Sequence, residues 1–151
     1  MMSERERQTG TVLNAQLRAF LNQQRVGHLA TVSRAGEPYV VPVCYAVSEG
    51  TIYTPIDEKP KRPGALLRRV RNVLETGRAA LVVDRYDEDW TRLGWVLLRG
   101  SAELLLPDSP EHAQAVSLLR RRYRQYQTMR LEERPLIALR IERVATWGTL
   151  H

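Results

Sequence analysis

The 151-residue sequence is poor in several residue types, and these shortages restrict what the protein can be. A single cysteine, Cys44, excludes an internal disulfide and a cysteine-based zinc site. No hydrophobic run approaches the ~20 residues that a membrane-spanning helix needs. The first eight residues are polar and of mixed charge, so they lack the apolar segment of a secretory signal. These shortages favour a cytoplasmic protein without a membrane partner.

Lysine is almost absent, although the chain is basic. It has 23 basic and 17 acidic residues, and only Lys59 and Lys61 among the basic ones are lysines. Two lysines within three positions of an otherwise arginine-rich chain indicate a need for compact ammonium groups. A net charge of +6 also favours an anionic partner, such as a phosphorylated or carboxylated ligand.

The hydrophobic pattern predicts one domain over residues 1–151, with a flexible segment at residues 1–10. Helices are expected over 11–24, 65–75 and 109–126, and strands over 26–33, 38–47, 51–54, 79–86, 95–106 and 135–147. The second helix is expected to stop at Gly77 and to have one apolar side, formed by Leu66, Leu67, Val70, Val73 and Leu74. Short turns join the first three strands, which favours antiparallel pairing. Six such strands around one core favour a closed or nearly closed barrel.

The segment between the third strand and the second helix is the best candidate for binding chemistry. Lys59, Lys61 and Arg62 lie there, immediately before the helix expected to begin near Ala65. A helix N-terminus offers unpaired N–H groups and partial positive charge, so this arrangement suits a phosphate group. An exposed basic loop is the alternative interpretation.

Other chemistries have weaker support in the sequence. His28, His112 and His151 are scattered without metal-ligand spacing, so no metal site is expected. The chain lacks the G-x-S-x-G motif of many hydrolases. Arginine runs occur on two predicted helices, but no nucleic-acid-binding motif accompanies them, so no nucleic-acid partner is expected.

The ordered series of motifs resembles a known family. It comprises Gly27–Val32, Pro38–Val43, Tyr53–Lys61, Leu67–Val73, Val83–Tyr86, Asp89–Trp90 and Trp95–Gly100. These segments resemble the pyridoxamine 5′-phosphate oxidase-like proteins, and more narrowly their branch of coenzyme F420-dependent oxidoreductases. The resemblance spans roughly residues 21–147. It implies a fold that is mainly β with α: a six-stranded antiparallel split β-barrel of the FMN-binding type with flanking helices.

The resemblance also implies a homodimer with two cofactor sites at the subunit interface. The tricyclic cofactor ring would lie near the second and third strands, and its phosphate would contact the basic loop. Trp90 and Trp95 would approach the ring or the substrate from across the interface. The cofactor-binding residues implied in this way are Val41, Pro42, Val43, Thr54, Lys59, Lys61, Arg68, Arg71, Asn72, Trp90 and Trp95.

The implied activity is hydride transfer between reduced coenzyme F420, a deazaflavin, and a small unsaturated or quinone-like acceptor. The cofactor carries such chemistry, so the lack of an identifiable catalytic acid or base is no obstacle. An FMN-dependent enzyme of the same fold and a non-catalytic cofactor-binding protein are the alternatives. Oxidation of pyridoxamine phosphate is not expected, because the Arg-x-His pattern of that oxidase is missing and the sequence near the C-terminus reads Ala145–Gly148 instead.

Overall fold

The computed structural model describes residues 5–8, 13–57 and 62–151. Within these ranges the chain forms eight strands: β1 (Arg5–Gln8), β2 (Gly27–Val32), β3 (Pro38–Val43), β4 (Ala46–Ser48), β5 (Thr51–Pro55), β6 (Arg78–Arg85), β7 (Gly94–Leu105) and β8 (Leu136–Gly148). Three α-helices accompany them: α1 (Ala15–Gln23), α2 (Arg68–Thr76) and α3 (Pro110–Arg122). Short 3-10 helices occur at Trp90–Arg92, Arg124–Gln127 and Leu131–Glu133.

The described strands form one antiparallel sheet in the order β3-β2-β6-β7-β8-β5-β4, and β1 pairs with β8. The expected fold class is confirmed, as a curled half-barrel with flanking helices. The strand count is eight within the described ranges rather than six. One addition is β1, which the polar sequence did not predict, and the other comes from division of the expected 38–47 strand at Cys44 and Tyr45.

That division defines the split in the barrel. β3 and β4 lie at opposite ends of the strand order, yet only Cys44 and Tyr45 separate them along the chain. Three residue steps span at most about 11 Å of extended chain. The sheet must therefore curl until its two edges lie next to each other, and Tyr45 fills the junction with a fully buried ring.

Two hydrophobic clusters hold this shape. The larger one fills the barrel and contacts α1 and α2, with Phe20, Leu81 and Val96 among its fully buried members. The smaller one lies beneath α3, where Leu119 packs with residues of β4, β5 and β8 such as Leu136. The longest described helix, α3, has 13 residues, and no described helix is long and apolar enough to cross a membrane.

The helix after the basic loop differs from its prediction in its start and in part of its buried face. It begins at Arg68 rather than Ala65, because Leu67 has extended backbone angles. The predicted stop at Gly77 is confirmed, with Gly77 in the left-handed conformation at φ 65°. Leu66 and Leu74, expected on the buried side, are 50% and 59% exposed.

Polar residues occupy part of the buried face of α2 instead. Arg69 is 4% exposed and Asn72 is fully buried. The Asn72 Nδ2 donates a hydrogen bond of 3.0 Å to the Thr31 Oγ1 of β2. Val70 and Val73 are buried as the periodicity predicted, but the periodicity gave no sign that Arg69 and Asn72 are buried beside them.

The end of α3 is held by Arg122. This predicted helix stops earlier than residue 126, since Tyr123 has extended backbone angles. The Arg122 guanidinium donates hydrogen bonds to backbone oxygens at the end of α1 and in the β3–β4 junction, and it lies over the Tyr45 ring, 4.9 Å from the centroid. The oxygens belong to Leu21, Asn22, Gln24 and Tyr45.

Candidate functional site

A cavity of about 250 Å³ opens at the split in the barrel. The end of β3, the β3–β4 junction, the end of β5 and the first turn of α2 together form its walls. The lining residues are Val26, Pro42, Val43, Cys44, Thr54, Pro55, Asp57 and Arg69. Because the two sheet edges meet here, strands that are far apart in the strand order contribute to one site.

Three of the sequence-predicted residues meet in this cavity, namely Pro42, Val43 and Thr54. Val41 alternates with Pro42 along β3, and it packs against the barrel core instead. The Thr54 side chain is 2% exposed, and its Oγ1 has no hydrogen-bond partner among the described residues. A buried hydroxyl in this state favours a ligand or water as its partner.

The cavity also contains a charged pair that the sequence analysis missed. Arg69 Nη2 lies 3.9 Å from Asp57 Oδ1, and only 5% of the arginine side chain is exposed, against 36% for the aspartate. Arg69 lies three residues before Asn72 on the same helical face. That spacing, together with flanking Val70 and Val73, is the signal that could have identified it as buried.

Asp57 is held from a second direction. The Tyr126 hydroxyl, in the 3-10 turn after α3, donates a hydrogen bond of 2.6 Å to Asp57 Oδ2. Burial raises the pKa of Tyr126 well above its ordinary value, and the hydrogen bond to Asp57 and the neighbouring Cys44 add to this shift. The phenol therefore keeps its proton and remains the donor at neutral pH.

The other predicted residues lie elsewhere or outside the described ranges. Lys59 and Lys61 fall in residues 58–61, which the structure does not describe. Arg68 and Arg71 are exposed on α2. Asn72 is fully buried against β2, so the described conformation gives it a packing role and no surface for a cofactor. The expected helix N-terminus directly after the lysines is wrong, because α2 begins at Arg68.

Neither predicted tryptophan belongs to the barrel core, and Trp95 lies on the face of β7 opposite to the core residues Val96 and Leu98. Trp95, on β7, lines a shallow groove of about 440 Å³ together with His28, Val82, Asp84 and Leu97. Trp90 is 71% exposed in the 3-10 turn before β7. Neither tryptophan lines the cavity at the split. Their approach to a cofactor held by a second subunit stays a prediction.

The described residues contain no group of three or more histidine, cysteine, aspartate or glutamate side chains that could hold a metal ion. The site presents one buried guanidinium paired with a carboxylate, one buried hydroxyl and several apolar walls. Such walls suit a flat ring, and the polar groups suit an anion or a carbonyl at its edge.

Comparison with known proteins extends this picture. A 5a,11a-dehydrotetracycline/5a,11a-dehydrooxytetracycline reductase from Streptomyces rimosus is 37% identical over 91 residues, which are 57% of this chain and 59% of that protein. The match thus spans less than two thirds of the relative's length.

Solved structures show the same fold. A conserved hypothetical protein from Mycobacterium tuberculosis superposes with a TM-score of 0.70 at 22% identity, covering 94% of this chain and 89% of that one. An FAD-binding protein from Mesorhizobium loti superposes with a TM-score of 0.64 at 25% identity, covering 98% and 100% of the two chains.

The family profile of pyridoxamine 5′-phosphate oxidase matches residues 13–148. This match runs from the residue before the cap of α1 to the last residue of β8, and it includes every wall of the cavity. The chain belongs to the pyridoxamine 5′-phosphate oxidase family.

Proposed function

We propose that the protein is an oxidoreductase that transfers a hydride between reduced coenzyme F420 and a small unsaturated or quinone-like acceptor. The observation that carries this proposal is the cavity at the split, where apolar strand ends meet the buried Thr54 hydroxyl and Arg69 guanidinium. The reductase activity named for the Streptomyces rimosus relative supports a reduction as the reaction class.

The residues of the cavity fit a phosphorylated ring cofactor. Pro42, Val43 and Pro55 provide apolar surface for the ring, and Thr54 has an unused buried hydroxyl. The surrounding sequence is strongly basic, with six basic and two acidic residues between positions 57 and 71. When bound, the cofactor would supply the hydride. The chain would bind it, orient it and exclude water from one face.

A basic segment suits the deazaflavin in particular. Lys59 and Lys61 would hold its phosphate as compact ammonium groups, and the exposed Arg68 and Arg71 would face its polyanionic tail. FMN is the second candidate cofactor, and the similarity to an FAD-binding protein over nearly the whole chain favours it. A protein that binds the cofactor without turnover is the third possibility.

Titration of the purified protein with coenzyme F420 and with FMN tests the cofactor. We expect saturable binding of the deazaflavin and a colourless preparation. Tight binding of FMN without saturable binding of coenzyme F420, or a preparation with the absorption spectrum of bound FMN, would place the protein among the flavin enzymes. Single-turnover oxidation of the bound reduced cofactor by a panel of enones and quinones then separates an enzyme from a carrier.

We also propose that two copies of the chain associate through the outer face of β2, β6 and β7. The apolar side chains of Ala30, Ala80, Val82 and Leu97 lie along two grooves on this face. Trp95 lies at one end of it, which would bring the tryptophan to the partner. Analytical ultracentrifugation should show a dimer, and a Val82→Glu variant should shift the population to monomers.

A further inference from the structure

Cys44, the only cysteine of the sequence, lies where the two edges of the sheet meet. It is half-buried between β3 and β4 and belongs to the wall of the cavity at the split. The cavity volume of about 250 Å³ is below the about 300–1,000 Å³ of a drug-sized pocket, which leaves room for a small ring rather than a large ligand. Small molecules therefore have a route to a thiol that the proposed hydride transfer does not use.

Polar groups lie beside this thiol. The Tyr126 hydroxyl is its neighbour, since hydrogen bonding with Cys44 is among the causes that raise the pKa of Tyr126. The same hydroxyl donates its hydrogen bond of 2.6 Å to Asp57, another residue of the cavity wall. Cys44 also packs against the apolar cluster beneath α3, but that cluster does not enclose it. A partly exposed thiol in polar surroundings keeps its reactivity, whereas a thiol sealed in an apolar core is inert.

Thr54 provides a second, independent observation in the same cavity. Its side chain is 2% exposed, and its Oγ1 has no hydrogen-bond partner in the part of the chain that the structure describes. Ala46 of β4 pairs with Tyr53 of β5. Cys44 and Thr54, which continue the two strands beyond this pair, therefore lie at the same open end of the hairpin. A buried hydroxyl without a partner favours a ligand that brings a hydrogen-bond acceptor into the cavity.

A thiol and a hydrogen-bond donor in one small cavity match an α,β-unsaturated carbonyl compound. The sulfur is a nucleophile that adds to the β-carbon of such a compound, while negative charge develops on the carbonyl oxygen. A donor already placed at that oxygen stabilises the developing charge. One S–C bond forms, the π bond of the alkene breaks, and the thiol proton ends on the α-carbon. The addition therefore needs neither an oxidant nor a reductant.

We propose that Cys44 is a modification site at which enones and quinones alkylate the cofactor-free protein, with their carbonyl oxygen bound by the Thr54 hydroxyl. The choice of these electrophiles rests on the proposed function, because they are the acceptors proposed for the reaction. A cofactor bound at the split occupies the cavity and shields the thiol. Excess acceptor therefore alkylates the empty protein, whereas the loaded protein reduces the same compound.

N-ethylmaleimide and iodomethane are the probes that test this site. The first is a cyclic unsaturated carbonyl compound, and the second alkylates thiols by displacement and has no oxygen atom. Intact-mass spectrometry of the folded protein should show one maleimide per chain in the wild type and at least a tenfold lower rate in Cys44→Ser. Two results would overturn the proposal: a wild-type rate in Cys44→Ser, or no adduct on the folded wild type under conditions in which the urea-unfolded protein reacts fully.

The role of Thr54 is tested by Thr54→Val against Thr51→Val. Both variants replace a threonine of β5, but the Thr51 Oγ1 accepts a hydrogen bond from Arg140 and Thr51 lies outside the cavity. Thr54→Val should slow the maleimide reaction at least threefold and leave the iodomethane reaction within twofold, because only the maleimide offers a carbonyl oxygen. Thr51→Val should leave both rates within twofold. Equal slowing of the two reagents by Thr54→Val, or no slowing of either, would overturn the contact with the carbonyl.

Protection by the cofactor separates this proposal from the proposed function. Saturating coenzyme F420 or FMN should slow maleimide addition at least tenfold, and an unchanged rate with the cofactor bound would overturn the shielding. Alkylation of Cys44 in a protein that binds neither cofactor would support the modification site and overturn the proposed function. Cofactor binding by a folded protein whose thiol does not react would overturn the modification site and support the proposed function.

Discussion

Asn72 of α2 donates a hydrogen bond of 3.0 Å to the hydroxyl of Thr31 in β2, and both side chains are buried. This bond attaches the helix that carries Arg69 to the sheet. An asparagine that the family resemblance places near the cofactor thus has a packing role in the described conformation. Its hydrogen bond holds the Asn72 face of α2 against β2.

Asn72→Ala should reduce the free energy of unfolding by about 1–3 kcal/mol, because it removes the hydrogen bond and leaves the Thr31 hydroxyl buried without it. Urea denaturation measures the change. Leu74→Ala, at a 59% exposed position of the same helix, is the control and should change stability by less than about 0.5 kcal/mol. An Asn72→Ala variant that keeps wild-type stability but binds the cofactor more weakly would support a cofactor contact of Asn72 instead.

Arg122→Met should destabilise the protein by about 2–4 kcal/mol. The substitution keeps a long apolar side chain but removes the donors that join α3 to the end of α1 and to the Tyr45 carbonyl. Arg121→Met changes the exposed neighbour on the same helix and should have little effect. Equal thermal midpoints for the two variants would contradict the bridging role of Arg122.

Gly100→Ala should prevent correct pairing of β7 with β8. A Cβ at position 100 would lie 1.8 Å from the carbonyl oxygen of Arg140, at the point where the register of the two strands shifts. We expect a loss above about 4 kcal/mol, or no folded protein at all. Gly36→Ala has open space around it and only a positive φ of 87°, so it should cost about 1–2 kcal/mol. A folded Gly100→Ala variant whose thermal midpoint is close to that of the wild type would contradict this expectation.

Glu111 should make the protein sensitive to acid. Hydrogen bonds from Arg140 and, to a smaller extent, from the Tyr53 hydroxyl stabilise the Glu111 carboxylate, whereas partial burial has the opposite effect. The net result is that the pKa of Glu111 is lowered from 4.5 to about 2. A lowered folded-state pKa gives stability that is complete above pH 4.5 and is lost as the pH falls toward 2. The shift corresponds to about 3 kcal/mol, but the side chain is 34% exposed, so solvent screening reduces the expected contribution to about 1–2 kcal/mol.

Denaturation of the wild type and Glu111→Gln between pH 6 and pH 2 checks this expectation. The variant should be less stable at pH 6, and the difference should shrink as the pH falls. Glu88→Gln, at an exposed position, serves as the control. A constant difference across this pH range would show that Glu111 contributes through packing rather than through its charge.

Lys61→Ala should weaken binding of the phosphorylated cofactor by roughly 1.5–3 kcal/mol, because the proposed contact between its ammonium and the phosphate would be a charge-assisted hydrogen bond. Fluorescence titration with coenzyme F420 and with FMN measures the loss. Arg121→Ala, which removes an exposed charge far along the chain on α3, controls for the change in net charge. Unaltered affinity would remove Lys61 from the site.

Local patterns were sufficient to place most elements of the fold. Alternating apolar residues and turn residues predicted β2, β6, β7 and β8 to within about two residues, since these strands have one face in the core. Gly77 was predicted as the end of α2 because few other residues adopt the left-handed conformation there. The break at Cys44 and Tyr45 escaped prediction, because both residues suit a strand and only closure of the barrel bends the chain there.

The sequence by itself determined an antiparallel barrel, a strand that ends close to Thr54, and a basic segment that follows this strand along the chain. Only the tertiary structure decided which arginine of α2 is buried, and that Asp57 and Tyr126, 69 positions apart, meet at one hydrogen bond. The reason is physical. Hydrophobic periodicity shows which positions of a helix or strand can face the core. The rotation of a helix about its axis also depends on the side chains of the sheet against which it packs. Here β2 presents the Thr31 hydroxyl, and the split presents a carboxylate, so the helix turns polar side chains inward.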